Sequence, residues 1–72
     1  MNNHFEKTLN SLLVDLSQTI TEYNPNDLRI ATASFMKFVS KMDRSTYNSS
    51  YYFDAKKVQH IKNFILSYYQ MK

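Results

Sequence analysis

The most informative part of this chain is residues 9–28, which read LNSLLVDLSQTITEYNPNDL. Apolar residues in its first half recur at three- and four-residue steps, the spacing of one face of an α-helix. The second half is polar and contains the single proline of the chain, Pro25. Asn24 is suited to cap a helix, proline fits the first helical position, and Asp27 adds negative charge to the first turn. The segment therefore predicts the end of one helix and the start of the next.

Helical spacing continues outward from this segment in both directions. We predict helices over about 5–23 and 25–43, and a third that begins near Tyr51 or after a cap at Asp54 and ends near residue 70. The chain has no glycine, whereas a β-sandwich needs turn residues every few positions. The sequence therefore predicts an all-α protein.

The size of the chain raises the question of what stabilises it. A domain of 72 residues buries little of its surface and usually needs a disulfide, a metal or a partner chain. Cysteine is absent, and no carboxylates flank His4 or His60 at ligand spacing. We therefore expect no metal and no cofactor, and self-association remains as the stabilising device.

Charge is distributed unevenly along the chain. Residues 1–44 hold five basic and five acidic side chains, and residues 45–72 hold four lysines against Asp54, which accounts for the net charge of +3. Four lysines spread over that length are weak evidence for nucleic-acid binding.

The sequence contains no recognisable catalytic constellation. Ser17, Ser34 and Ser67 have no histidine or acidic partner at a known spacing. Asp15 and Glu22 lie seven residues apart on one helix face and are interpreted as solvated. A phosphate-binding loop requires glycine, which is absent. We therefore predict a protein that is not an enzyme.

Two features bear on location. No apolar run approaches the roughly 20 residues that a membrane span needs. The N-terminus has neither the basic start nor the apolar stretch of a signal peptide. The sequence predicts an intracellular, cytoplasmic protein without membrane contact.

The first two helices also carry a family pattern. It has leucines at three early positions, a β-branched residue before the turn, and a proline-x-aspartate-leucine turn followed by core-like positions. The matching residues are Leu9-x-x-Leu12-Leu13, Ile20, Asn24-Pro25-Asn26-Asp27-Leu28, Ala33, Phe35 and Val39. In this pattern the chain resembles the dimerization/docking domain of the type II regulatory subunit of cAMP-dependent protein kinase, the RIIa family.

The resemblance implies a fold and a function. It implies a two-helix protomer over residues 1–44 that dimerizes into an antiparallel X-type four-helix bundle, and residues 45–72 add a turn and an accessory third helix. It further implies a homodimeric adaptor that binds an amphipathic helix of a partner protein, with a location in a cilium or axoneme, such as a radial spoke. The chain is too short to hold a cyclic-nucleotide-binding domain as well.

Three sets of candidate site residues follow. The partner-helix groove is assigned to Leu9, Leu12, Leu13, Leu16 and Ile20. The dimer core is assigned to Leu28, Ala31, Phe35, Phe38 and Met42. Packing of the accessory helix is assigned to Val58, Ile61, Ile65 and Tyr68. Simple burial within one chain is the alternative interpretation for the leucine stripe.

Two other classes of protein stay open. A small helical nucleic-acid-binding regulator is suggested by the lysines near Tyr51-Tyr52-Phe53 and Tyr68-Tyr69, because aromatic and basic residues together stack on bases. Tyr68, however, continues the apolar stripe of the third helix, so packing or protein contact is favoured for this cluster. The other class is a phage- or plasmid-type inhibitor protein.

Overall fold

The computed structural model describes residues 3–42 and 53–70 of the chain. These residues form three α-helices: α1 Asn3–Thr19, α2 Pro25–Met42 and α3 Ala55–Gln70. No strand occurs within the described ranges. The prediction of an all-helical fold is therefore confirmed for this part of the chain. None of the described helices is long and apolar enough to cross a membrane.

Side-chain caps define the starts of α2 and α3. The Asn24 side-chain oxygen accepts hydrogen bonds from the backbone amides of Asn26 at 2.9 Å and Asp27 at 3.2 Å. The Asp54 carboxylate accepts one from the backbone amide of Lys57 at 2.9 Å. Each cap satisfies amides that have no partner within the helix. Of the two predicted starts of the third helix, the cap at Asp54 is correct.

The predicted start of α1 agrees with the structure to within two residues, whereas its predicted end was wrong. The helix begins at Asn3 and ends at Thr19, before the predicted end at Tyr23. The amide of Ile20 still donates to the carbonyl of Leu16 at 2.8 Å, but the chain then leaves the helix. Consecutive β-branched residues at positions 19–21 lower helix propensity at this point. The predicted limits at Asp43 and Tyr51 lie outside the described residues.

All three helices contribute to one apolar core. Leu16 of α1, Met36 of α2, and Ile61 and Ile65 of α3 are completely buried. The buried apolar side chains are Phe5, Leu9, Leu12, Leu16, Ile20, Leu28, Met36, Val39, Phe53, Ile61 and Ile65. Because α3 supplies side chains to the same core as α1 and α2, these helices pack as one unit over the described residues.

Two surface ion pairs connect α1 to its neighbours. Arg29 Nη2 of α2 lies 3.3 Å from Glu6 Oε1, and Lys62 Nζ of α3 lies 3.1 Å from Asp15 Oδ2. Exposed pairs of this kind contribute about 0–1 kcal/mol each. The apolar core, and not these pairs, is therefore the main source of stability.

Candidate docking surface

The residues assigned to a partner-helix groove lie mostly inside the chain. Leu9, Leu12, Leu16 and Ile20 are buried in the shared core, and Leu13 is half-buried beside it. A partner helix would reach the four buried side chains only if a neighbouring helix moved away from α1.

The residues assigned to a dimer core lie in different environments. Leu28 is buried in the core of the single chain, whereas Ala31 and Phe35 are half-buried at its edge. Phe38 is 58% exposed. The side chain of Met42 lies outside the described part of the structure. Among the described side chains of this set, the surface-accessible ones are therefore Ala31, Phe35 and Phe38.

The residues assigned to packing of the third helix divide in a similar way. Ile61 and Ile65 are completely buried, and Val58 is half-buried against the core. Tyr68 is 50% exposed, and its ring lies edge-on to that of Tyr69 with centroids 5.2 Å apart. Tyr68 lies two residues before the end of α3.

The outer face of α3 forms a shallow apolar concavity of about 530 Å³. It is lined by His60, Asn63, Phe64, Ser67 and Tyr68, which we call the α3 groove. These positions recur at steps of three and four residues, so they share one face of the helix. Phe64 is 46% exposed and Tyr68 50%, which leaves two aromatic rings half in solvent.

The apolar surface continues from α3 onto α2. The rings of Phe64 and Phe35 are in contact, with centroids 3.9 Å apart and an interplanar angle of 46°. Phe38 follows Phe35 one turn later on α2 and is exposed. The partly buried ring of Phe35 thus packs against the α3 groove, and Phe38 on α2 adds a further exposed aromatic side chain beside it.

A second concavity, of about 840 Å³, lies where the α1–α2 connection meets the end of α3. We call it the turn cavity; its lining includes Glu22, Tyr23, Asp27, Tyr68 and Tyr69. Its described lining contains two carboxylates and no lysine, arginine or histidine. Burial raises the pKa of the Tyr69 phenol, and the nearby Asp27 carboxylate and Tyr68 raise it further. Asp27 and Tyr69 are therefore neighbours in the lining of the turn cavity.

The opposite end of α3 is basic. Lys56 and Lys57 occupy its first turn, beside the capping residue Asp54. At 1.5 Å of rise per residue, Lys56 is about 20 Å along the helix from Tyr69 in the turn cavity. The α3 groove therefore lies between a lysine-bearing end and a carboxylate-bearing end.

The two histidines lie apart from each other. The ring of His4 stacks on that of Phe53 with centroids 6.3 Å apart, and His60 lines the α3 groove. Across residues 3–42 and 53–70, no three histidine, aspartate or glutamate side chains come together as a group that could hold a metal ion.

Comparisons with protein-family models, with curated proteins and with solved structures gave no match.

The residues of the α3 groove were only partly identified from the sequence. Of the residues that line the α3 groove, only Tyr68 is among the candidate site residues assigned from the sequence. The signal that was present is the aromatic pair Phe64 and Tyr68, four residues apart on one helix face. What the sequence did not indicate is that the other described helices cover this face only in part.

Proposed function

We propose that this chain is a non-enzymatic, homodimeric docking protein, and that the α3 groove is the surface through which two copies associate. The observation that carries the proposal is the exposure of Phe64 and Tyr68 around an apolar concavity. Contiguous apolar surface on a small domain marks an interaction site more often than isolated apolar residues do.

A second copy suits this surface because a two-fold interface uses the same patch on both partners. In such a dimer, each copy contributes both an α3 groove and the aromatic side chains that pack into the groove of the other copy. Aromatic residues placed at the centre of a patch commonly provide most of an interface's binding energy. Self-association also supplies the stabilisation that a short chain without cysteine lacks.

The proposal is tested by removing the aromatic rings from the α3 groove. We expect Phe64→Gln combined with Tyr68→Gln to raise the dimer dissociation constant by about tenfold or more, as the loss of hot-spot side chains does. The measurement is sedimentation equilibrium over a range of concentrations, with circular dichroism to verify the helical content.

Two further variants make this test specific. Val14→Gln is the matched control, since Val14 on α1 is 58% exposed but lies away from the groove, and it should leave the dissociation constant unchanged. Ser67→Arg fills the groove without removing any core side chain, and it should weaken association as strongly as the double variant. Equal dissociation constants for wild type and Ser67→Arg would contradict the proposal.

A second candidate is the RIIa-type arrangement, favoured by the residue pattern between Leu9 and Val39. In this arrangement α1 and α2 of two copies form an antiparallel X-type bundle, and an amphipathic helix of a partner lies on α1. It requires α3 to leave α1, because Leu12 and Leu16 share the core with Ile61. The adaptor role in a cilium or axoneme belongs to this candidate.

Nucleic-acid binding has weaker support. Of the three lysines of α3, Lys62 is paired with Asp15 at 3.1 Å, so its charge is compensated within the chain. We therefore favour docking over a nucleic-acid-binding regulator. A phage- or plasmid-type inhibitor would share the docking chemistry and differ in its partner.

A further inference from the structure

The two ends of α3 differ in charge and in chemistry. Lys56 and Lys57 are in its first turn, and the described part of the helix carries no acidic residue. At its other end, the turn cavity brings Glu22 and Asp27 together with tyrosine rings. The α3 groove adjoins the turn cavity at Tyr68, which lines both, and its lining reaches toward the lysine end as far as His60, about one turn after Lys56.

The turn cavity has the composition of a site for an ammonium group. Tyrosine rings attract cations through their faces, and a carboxylate within a few ångströms adds direct charge pairing. Tyr68 and Tyr69 meet edge to face in this lining, with ring centroids 5.2 Å apart and an interplanar angle of 88°. With Tyr23 also in the lining, the cavity offers three tyrosines and two carboxylates to a cation.

The distribution of charge along α3 favours one relative direction of the two α3 helices in the dimer. If two copies met with their α3 helices parallel, each lysine end would face the lysine end of the other copy. Like charges placed opposite each other across an interface weaken association. An antiparallel pairing brings each lysine end to the carboxylate end of the other copy and keeps Phe64, near the middle of α3, close to the two-fold axis.

We propose that the α3 helices of two copies pair antiparallel, and that Lys56 of each copy enters the turn cavity of the other, where Glu22, Asp27 and the tyrosines receive its ammonium group. This inference rests on the proposed function, because it names the orientation and the polar contact of the same dimer. The two-fold axis makes the contact occur twice.

The test is a charge exchange between two variants. One carries Glu22→Lys with Asp27→Lys, and the other carries Lys56→Glu with Lys57→Glu. Alone, each variant places like charges at both contacts, and its dimer dissociation constant should rise by roughly tenfold or more. Mixed in equal amounts, the two variants should form a heterodimer with opposite charges at both contacts. Native mass spectrometry measures the heterodimer directly.

Controls separate this result from general effects of charge or folding. The exchange Asp15→Lys with Lys62→Glu reverses an ion pair within the chain and should leave the dissociation constant unchanged. Circular dichroism verifies that each variant is folded. Glu22 lies outside the helices, and Glu22→Lys alone should weaken dimerization in the same way but less than the double variant does.

The outcomes distinguish this inference from the proposed function. One outcome is that the Phe64→Gln/Tyr68→Gln variant dimerizes more weakly than wild type while the mixed charge variants form no heterodimer. In that case the antiparallel lysine contact is wrong and the proposed docking surface stands. If each charge variant dimerizes as tightly as wild type, the inference is likewise overturned. A wild-type chain that is monomeric overturns both.

Discussion

On α2, two hydroxyl groups are buried in the core. Thr32 is 0% exposed, and Ser40 is also buried. Among residues 3–42 and 53–70, neither hydroxyl oxygen has a hydrogen-bond partner. A buried polar group without a partner costs about 1–3 kcal/mol of desolvation. These two positions therefore lower the stability of a chain whose core is already small.

Replacement of the Thr32 hydroxyl by a methyl group should stabilise the protein. Thr32→Val keeps the branched shape and a similar helix propensity, and it should raise the free energy of unfolding by about 1 kcal/mol. Urea denaturation at fixed protein concentration measures the change. Thr19→Val, at an exposed position of α1, is the control and should stay within about 0.5 kcal/mol of wild type. A loss of stability in Thr32→Val would mean that the hydroxyl is hydrogen-bonded in solution.

At the level of the helices, α3 decides between the two candidate arrangements. Its Ile61 and Ile65 are completely buried in the core that α1 and α2 share. Removing α3 therefore exposes apolar side chains on both remaining helices, at about 25 cal/mol for each Å² uncovered.

A chain truncated after Ser50 should lose cooperative thermal unfolding and most of its helical circular dichroism. The matched control is Lys62→Ala in the full-length chain, which removes the ion pair to α1 and keeps the apolar packing of α3. A truncated chain that instead stays helical, dimerizes and binds an amphipathic peptide would support the RIIa-type arrangement and contradict the groove proposal.

Local signals made part of the fold predictable. Asn24 and Asp54 act through their own side chains on amides two or three residues later, so the starts of α2 and α3 follow from the sequence. The end of α1 is hard to place from the sequence because no capping or glycine signal marks it, and the β-branched run at 19–21 lowers helix propensity without excluding a helix.

The docking surface was harder to predict than the helices. Helical spacing shows that Leu12 and Phe64 each lie on an apolar stripe, but it does not state which stripe the third helix covers. Leu12 is buried because α3 packs against α1, whereas Phe64 stays 46% exposed because its neighbour Phe35 covers only part of the ring. Assigning residues to core or groove therefore requires the packing of all three helices.

At the scale of the whole molecule, the described residues combine a short three-helix core with a partly exposed aromatic surface. Interfaces that form stable complexes need a central apolar cluster with polar groups around it. The α3 groove supplies the cluster, and Lys56, Glu22 and Asp27 supply charges at its two ends. Under the proposed function, the dimer and not the single chain is the working form of the protein.

The molar mass of the wild-type chain tests this claim most directly. One chain has a mass of 8.6 kDa, and sedimentation equilibrium at micromolar concentrations should give twice that value. The mass should fall toward that of one chain on dilution. When Phe64 and Tyr68 are both replaced by glutamine, this fall should begin at a higher protein concentration. A wild-type protein that remains a folded monomer of 8.6 kDa throughout the micromolar range would contradict the account.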